Sequence, residues 1–124
     1  MACLAQPGSF RDPSGRVFVG DEGVFRTVTA HAGHAYEFVR DSGVLEDLVR
    51  RGWLVESVEV DTAMLGPSAR DARYVLEHPA IPYVSFPYEW CFPALKAAAL
   101  LHLDLHLEAL ERGANLSDAS AYNV

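Results

Sequence analysis

The feature that most restricts the fold is a leucine- and alanine-rich stretch from Pro93 to Arg112. Pro93 suits the first turn of a helix, and Gly113 stands where a helix stop is expected. Projected at about 100° per residue, Asp104, Glu108, Glu111 and Arg112 share one narrow side. Leu95, Ala98, Leu103, Leu107 and Leu110 spread over the broad remainder. So wide an apolar surface needs cover on several sides, and the eleven residues from Ala114 to Val124 are too few for a second packing layer. The chain is therefore expected to be part of a larger soluble protein. The stretch does not read as a membrane span, because Lys96, His102, Asp104, His106 and Glu108 would be costly in lipid.

With 124 residues, half of them hydrophobic, the chain can build one modest core and no second independent domain. Its formal charge of −7 comes from 17 acidic against 10 basic residues, with Lys96 the sole lysine. There is no cationic surface to hold a phosphate backbone, so nucleic acid is excluded as the expected partner. Cys3 and Cys91 form no C-x-x-C pair and read as free thiols, which points to a cytoplasmic address. Residues 1–15 lack a basic segment followed by a long apolar run and read as a flexible lead-in to a single unit over 16–124.

Arg16–Val19 and Val24–Thr29 are β-branched and aromatic runs around Gly20-Asp21-Glu22-Gly23, a hairpin pattern with the glycines supplying the loop geometry. Ala30–Asp41 has a helical pattern, which Gly33 weakens by roughly 1 kcal/mol relative to alanine. Ser42 is placed to cap a second helix with Val44, Leu45, Leu48 and Val49 on one face, ending at Gly52. Trp53–Val60 alternates as a half-buried strand, and Asp61–Asp71 reads as a polar connection. Tyr74–Leu76 and Tyr83–Phe86 are expected to form a further strand pair around the corner His78-Pro79-Ala80-Ile81-Pro82.

After the long helix, Asp118 and Asn123 stand within Asn115–Val124 with four residues between them, the D-x-x-x-x-N spacing of a kinase catalytic loop. In such a loop the Asp orients or deprotonates the attacking hydroxyl, and the Asn binds a magnesium ion on the nucleotide phosphates. Hairpin, helix, strands, proline-rich hinge and long helix together give an α+β expectation: a small antiparallel sheet with helices, kinase-like in order, cut short within the motif. Other parts of that signature are missing. No G-x-G occurs, and no lysine precedes Lys96, which leaves Arg26 as the nearest substitute for a phosphate-pairing cation. Turn and capping bonds are the simpler role for Asp118 and Asn123.

Four stretches carry a family resemblance: Phe18–Arg26, the run Ile81-Pro82-Tyr83-Val84-Ser85-Phe86-Pro87-Tyr88-Glu89-Trp90, Leu95–Leu101, and Ser117-Asp118-Ala119-Ser120-Ala121-Tyr122-Asn123. They resemble the N-terminal region of bacterial S-adenosyl-L-methionine (SAM)-dependent methyltransferases related to nodulation proteins. The resemblance implies a parent enzyme with SAM as cofactor and a methyltransferase domain beyond Val124 as this segment's partner. It assigns no SAM contact here, since the strand, glycine-rich turn and acidic residue that would hold one are absent from the sequence. The segment is then expected to recognise substrate or pack against that domain. The alternatives are a remnant of a small-molecule phosphotransferase and a stand-alone module that dimerises through the 93–112 helix.

His102 and His106 lie one turn apart on the apolar side, without the glutamate of H-E-x-x-H, and read as core histidines rather than metal ligands. His31 and His34 have no cysteine near them. Glu89, between Tyr88 and Trp90, reads as an anchor that accepts backbone hydrogen bonds at the hinge. Trp53, Trp90, Tyr83 and Phe86 are expected in the core.

Overall fold

The computed structural model describes residues 3–21, 23–118 and 120–124. The fold is α+β. Its strands are β1 (Leu4–Ala5), β2 (Val17–Gly20), β3 (Gly23–Thr29), β4 (Val58–Val60) and β5 (Ala72–His78). Its α-helices are α1 (Ala30–Asp41), α2 (Val44–Arg50) and α3 (Phe92–Glu111). The strands form one antiparallel sheet in the order β1-β2-β3-β5-β4. Two compact units divide the chain: one runs to Asp41 and resumes at Val55–Ala80, and the other comprises Ser42–Leu54 and Ile81–Val124.

In the first unit the β2–β3 hairpin forms as expected, but Gly20 and Gly23 pair with each other at the end of the ladder instead of forming the loop. Strand β3 alternates with Gly23, Phe25 and Thr27 inward, and a register shift at Val28/Thr29 turns Val28 inward as well. Phe25 and Val75, both fully buried, pack with Phe18, Leu65 and Ala69. Leu65 and Ala69 come from a pair of 3-10 turns, Thr62–Ala69, kinked at Gly66. The stretch expected to be a polar connection therefore closes the core through Leu65 and Ala69, with Gly66 and Pro67 between them interrupting any regular helical pattern.

Residues 1–15 were expected to be a lead-in, yet β1 pairs with β2 (Leu4↔Val19, Ala5↔Phe18) and the segment before β2 is tied down. Thr27 and Thr29 donate their amides to the carbonyls of Arg16 and Ser14 at 2.9 and 2.8 Å. A Cβ on Gly15 would stand 1.7 Å from the Thr27 carbonyl oxygen, so this approach admits only glycine. The strand expected over Trp53–Val60 is reduced to β4. Its partner β5 ends at His78, and Pro79 then has no N–H to continue the ladder.

Helix α1 has the expected bounds, and Gly33 has a tertiary reason: a Cβ there would meet the Arg73 side chain at 2.7 Å. In the second unit Gly43, not Ser42, occupies the N-cap position of α2, while Ser42 Oγ accepts the Val44 amide at 3.4 Å. Helices α2 and α3 end alike. Gly52 and Trp53 donate to the carbonyls of Val49 and Leu48, and Gly113 and Ala114 donate to those of Leu110 and Ala109, satisfying groups otherwise orphaned at a helix end. Residues 83–86 form no strand, and the aromatic residues expected in the core are largely outside it: Tyr83 is 79% and Phe86 43% exposed. The prolines at 79, 82 and 87 withdraw the donors that a ladder would need.

Candidate functional site

Helix α3 is the most informative surface. Its charged stripe does not simply face water. Asp47 of α2 and Arg51 just after it reach α3, where Arg112 Nη2 lies 2.5 Å from Asp47 Oδ2 and Arg51 Nη1 lies 3.0 Å from Glu108 Oε2. Arg112 also bonds Glu108 at 2.8 Å, which closes the chain Asp47–Arg112–Glu108–Arg51, and Arg50 pairs with Asp47 as well. The Arg112 hydrogen bonds hold the carboxyls of both Asp47 and Glu108 below the usual carboxylate range, and Asp47 in turn raises Arg112.

With the charged side so engaged, the leucines are left open. Leu100, Leu103, Leu107 and Leu110 are 51%, 57%, 59% and 49% exposed. They stand at i, i+3, i+7 and i+10, the spacing of a seam that a second helix can fill. Beside this seam, Leu95, Ala98, Ala99, His102, Leu103 and Val124 line an apolar groove of about 320 Å³. His106, on the same helix, has its Nδ1 buried with no hydrogen-bond partner among the described residues. No cluster of three or more His, Cys, Asp or Glu able to hold a metal ion occurs among the described residues.

The first unit carries a second polar cluster, where α1 meets β4 and β5. Tyr74 donates its hydroxyl to Glu37, which also pairs with Arg73 at 2.6 Å and His34 at 3.4 Å. Tyr36 donates to Glu59 at 2.9 Å, and Arg40 binds Glu59 and Asp41 at 2.8 and 2.7 Å. The Tyr36 and Tyr74 rings approach at 5.2 Å, and the Arg40 guanidinium lies over both. The Tyr74 hydrogen bond, with Arg73 beside it, depresses Glu37. Burial, reinforced by Glu59, raises the Tyr36 phenol. Each charge here has its partner within the cluster, so these side chains fasten α1 to the sheet.

Asp118 and Asn123 are brought together, though through the backbone of one. The Asn123 side-chain amide donates to the Asp118 carbonyl at 3.2 Å and to Ser120 Oγ at 3.4 Å, across a 3-10 turn over Ala121–Asn123. This is turn-holding work, and the Asp118 carboxylate is exposed. Arg26 belongs to the other unit, where it binds Asp12 at 2.6 Å. Glu89 does anchor the hinge: its Oε2 accepts the Phe86 amide at 2.8 Å, while Trp90 Nε1 donates to Ser85. The two ion clusters escaped the sequence reading because their members come from separate elements. The close run Glu46-Asp47-Leu48-Val49-Arg50-Arg51 was the one local sign of them.

Fold and surfaces together define an α+β chain with two internal ion clusters and a half-exposed leucine seam on its longest helix. The chain is similar to the nodulation protein NoeA of Rhizobium meliloti (strain 1021), with 44% identity over 117 residues, which are 94% of this chain and 24% of that protein. It thus spans about a quarter of the length of the curated relative it matches. The expected relation to nodulation proteins is borne out. No family model matches the chain, and no solved structure matches it. No helix among the described residues is long and apolar enough to cross a membrane.

Proposed function

We propose that this chain is the N-terminal segment of a longer SAM-dependent methyltransferase, in which α3 packs against the polypeptide that follows and helps to present the substrate. The observation that carries the reading is the half-exposed seam Leu100, Leu103, Leu107 and Leu110, on a helix whose Glu108 and Arg112 are already engaged by Arg51 and Asp47. The fourfold greater length of the similar nodulation protein supports a covering segment from the same chain. The methyltransferase assignment itself rests on the four resembling stretches. The described residues do not fit the cofactor: β3 passes directly into α1, and no strand enters a helix through a glycine-rich turn. SAM binding and methyl transfer belong, in this reading, to the domain beyond Val124.

The test compares the 124-residue chain with the longer protein by SAM calorimetry, sedimentation and binding of a dye for exposed apolar surface. The expected result is SAM binding by the longer protein alone, with dye binding strong in the short chain and weak in the long one. A longer protein that does not bind SAM would remove the methyltransferase part. A well-ordered dimer of the short chain with no dye binding would replace the packing role by self-assembly through residues 93–112.

A further inference from the structure

We propose that the hollow between the Phe10–Arg16 segment and the start of β5 binds a small hydroxylated molecule bearing one oxyanion, a carboxylate or a phosphate. The hollow measures about 410 Å³ and is walled by Phe10, Arg11, Arg16, Thr29, Ser68 and Asp71 among others, all within the first unit.

The argument starts from the arginines. The chain carries 17 acidic residues against 10 basic ones, nine of them arginine. Among the described residues six arginines pair with carboxylates: Arg26, Arg40, Arg50, Arg51, Arg73 and Arg112. The other three are Arg11, Arg16 and Arg70, and two of these line this one hollow. Arg11 lies over the Phe10 ring at 5.2 Å. Asp12, which also lines the hollow, is taken by Arg26. Two carboxylates thus line the hollow, this one and Asp71; against them stand two guanidinium groups with no carboxylate partner among the described residues, a local positive excess on a chain of net charge −7.

The backbone bearing these groups is fixed in advance. Ser14 donates its amide to Asp12 Oδ1 at 2.8 Å, Arg16 donates to Thr27 Oγ1 at 2.9 Å, and Gly15 lies flat on β3 as described above. The pinned backbone needs no ordering of its own on binding, and the forked donors of a guanidinium match an oxyanion. Asp71 and Ser68 accept hydrogen bonds and so favour hydroxyl groups on the remainder of the ligand. Asp71 also disfavours a bare second anion.

The experiment is a titration of the isotope-labelled full chain, followed by amide shifts, with glycerate and glycerol 3-phosphate as the two oxyanion sources and glycerol as the neutral control. Saturable shifts at residues 11–16 and 68–72 with either oxyanion and none with glycerol are expected, and which probe binds identifies the source. Arg11→Gln and Arg16→Gln, both at exposed side chains, should each weaken binding about tenfold with the circular dichroism spectrum unchanged. No saturable shift with either oxyanion, equal binding of glycerol, or an affinity indifferent to both substitutions would overturn the site.

Discussion

Replacing Leu100, Leu103 and Leu107 together by glutamine should cost the longer protein far more than it costs this chain alone. Glutamine has nearly the helix propensity of leucine, so α3 itself is preserved. The three leucines are 51%, 57% and 59% exposed. Complete burial of a leucine stabilises by roughly 1.5–3 kcal/mol, so covering the open half of each contributes about 1 kcal/mol, and the three together about 3 kcal/mol. That sum is the expected difference between the two settings, because only the longer protein supplies the cover. Urea unfolding followed by far-ultraviolet circular dichroism, on both lengths with and without the triple substitution, measures it. Equal losses in the two lengths would refute the reasoning, since the leucines would then have no more neighbours in one setting than in the other.

Gly33→Ala should be close to neutral, because the helix gain of about 1 kcal/mol is offset by displacement of Arg73, whose Cδ would lie 2.7 Å from the new Cβ. In an Arg73→Ala background the same substitution should stabilise by about that amount, and a thermal-melt cycle separates the two. His106→Leu should raise the melting temperature of the chain, since it removes a buried Nδ1 that has no partner among the described residues. A lowered melting temperature would show that the ring is satisfied by a group outside them. The pH dependence follows from the two clusters. Glu37, Asp47, Glu59 and Glu108 are all depressed in the fold, so their contribution is complete above the ordinary carboxylate values of 3.8 to 4.5 and lost as pH falls through the folded values. Tyr36 is raised, so its contribution holds below 10.0 and fades as pH rises beyond it. Stability plotted against pH should fall on the acid side as these four carboxylates take up protons and on the alkaline side beyond 10.0; a stability that does not decline as pH drops below the ordinary carboxylate range would contradict the assignment.

Local signals in the sequence were strong wherever a structure closes on itself. The hairpin, α1, α2 and α3 all follow from alternation, helical spacing and glycine stops, and the hinge role of Glu89 needed only the amides freed by nearby prolines. What depends on a distant partner was not legible. Strand β4 shortens because β5 runs into Pro79, and β1 is a strand only because β2 offers it an edge. Periodicity showed which residues of α3 share a side but not which neighbour arrives there. Asp47 and Arg51 claim the charged side, and the leucines, which the pattern marks as core, are left uncovered. For Asp118 and Asn123 the spacing was real, and the geometry it serves is an amide-to-carbonyl bond across a turn.

The central claim is that the leucine seam of α3 is a docking surface covered by the remainder of a longer protein. Hydrogen exchange of the α3 amides, compared between this chain and the longer protein under the same conditions, tests it most directly. Protection over Leu100–Leu110 that rises by at least tenfold in the longer protein, with β3 and β5 unchanged, is the predicted result. Equal protection of α3 in both lengths would contradict it.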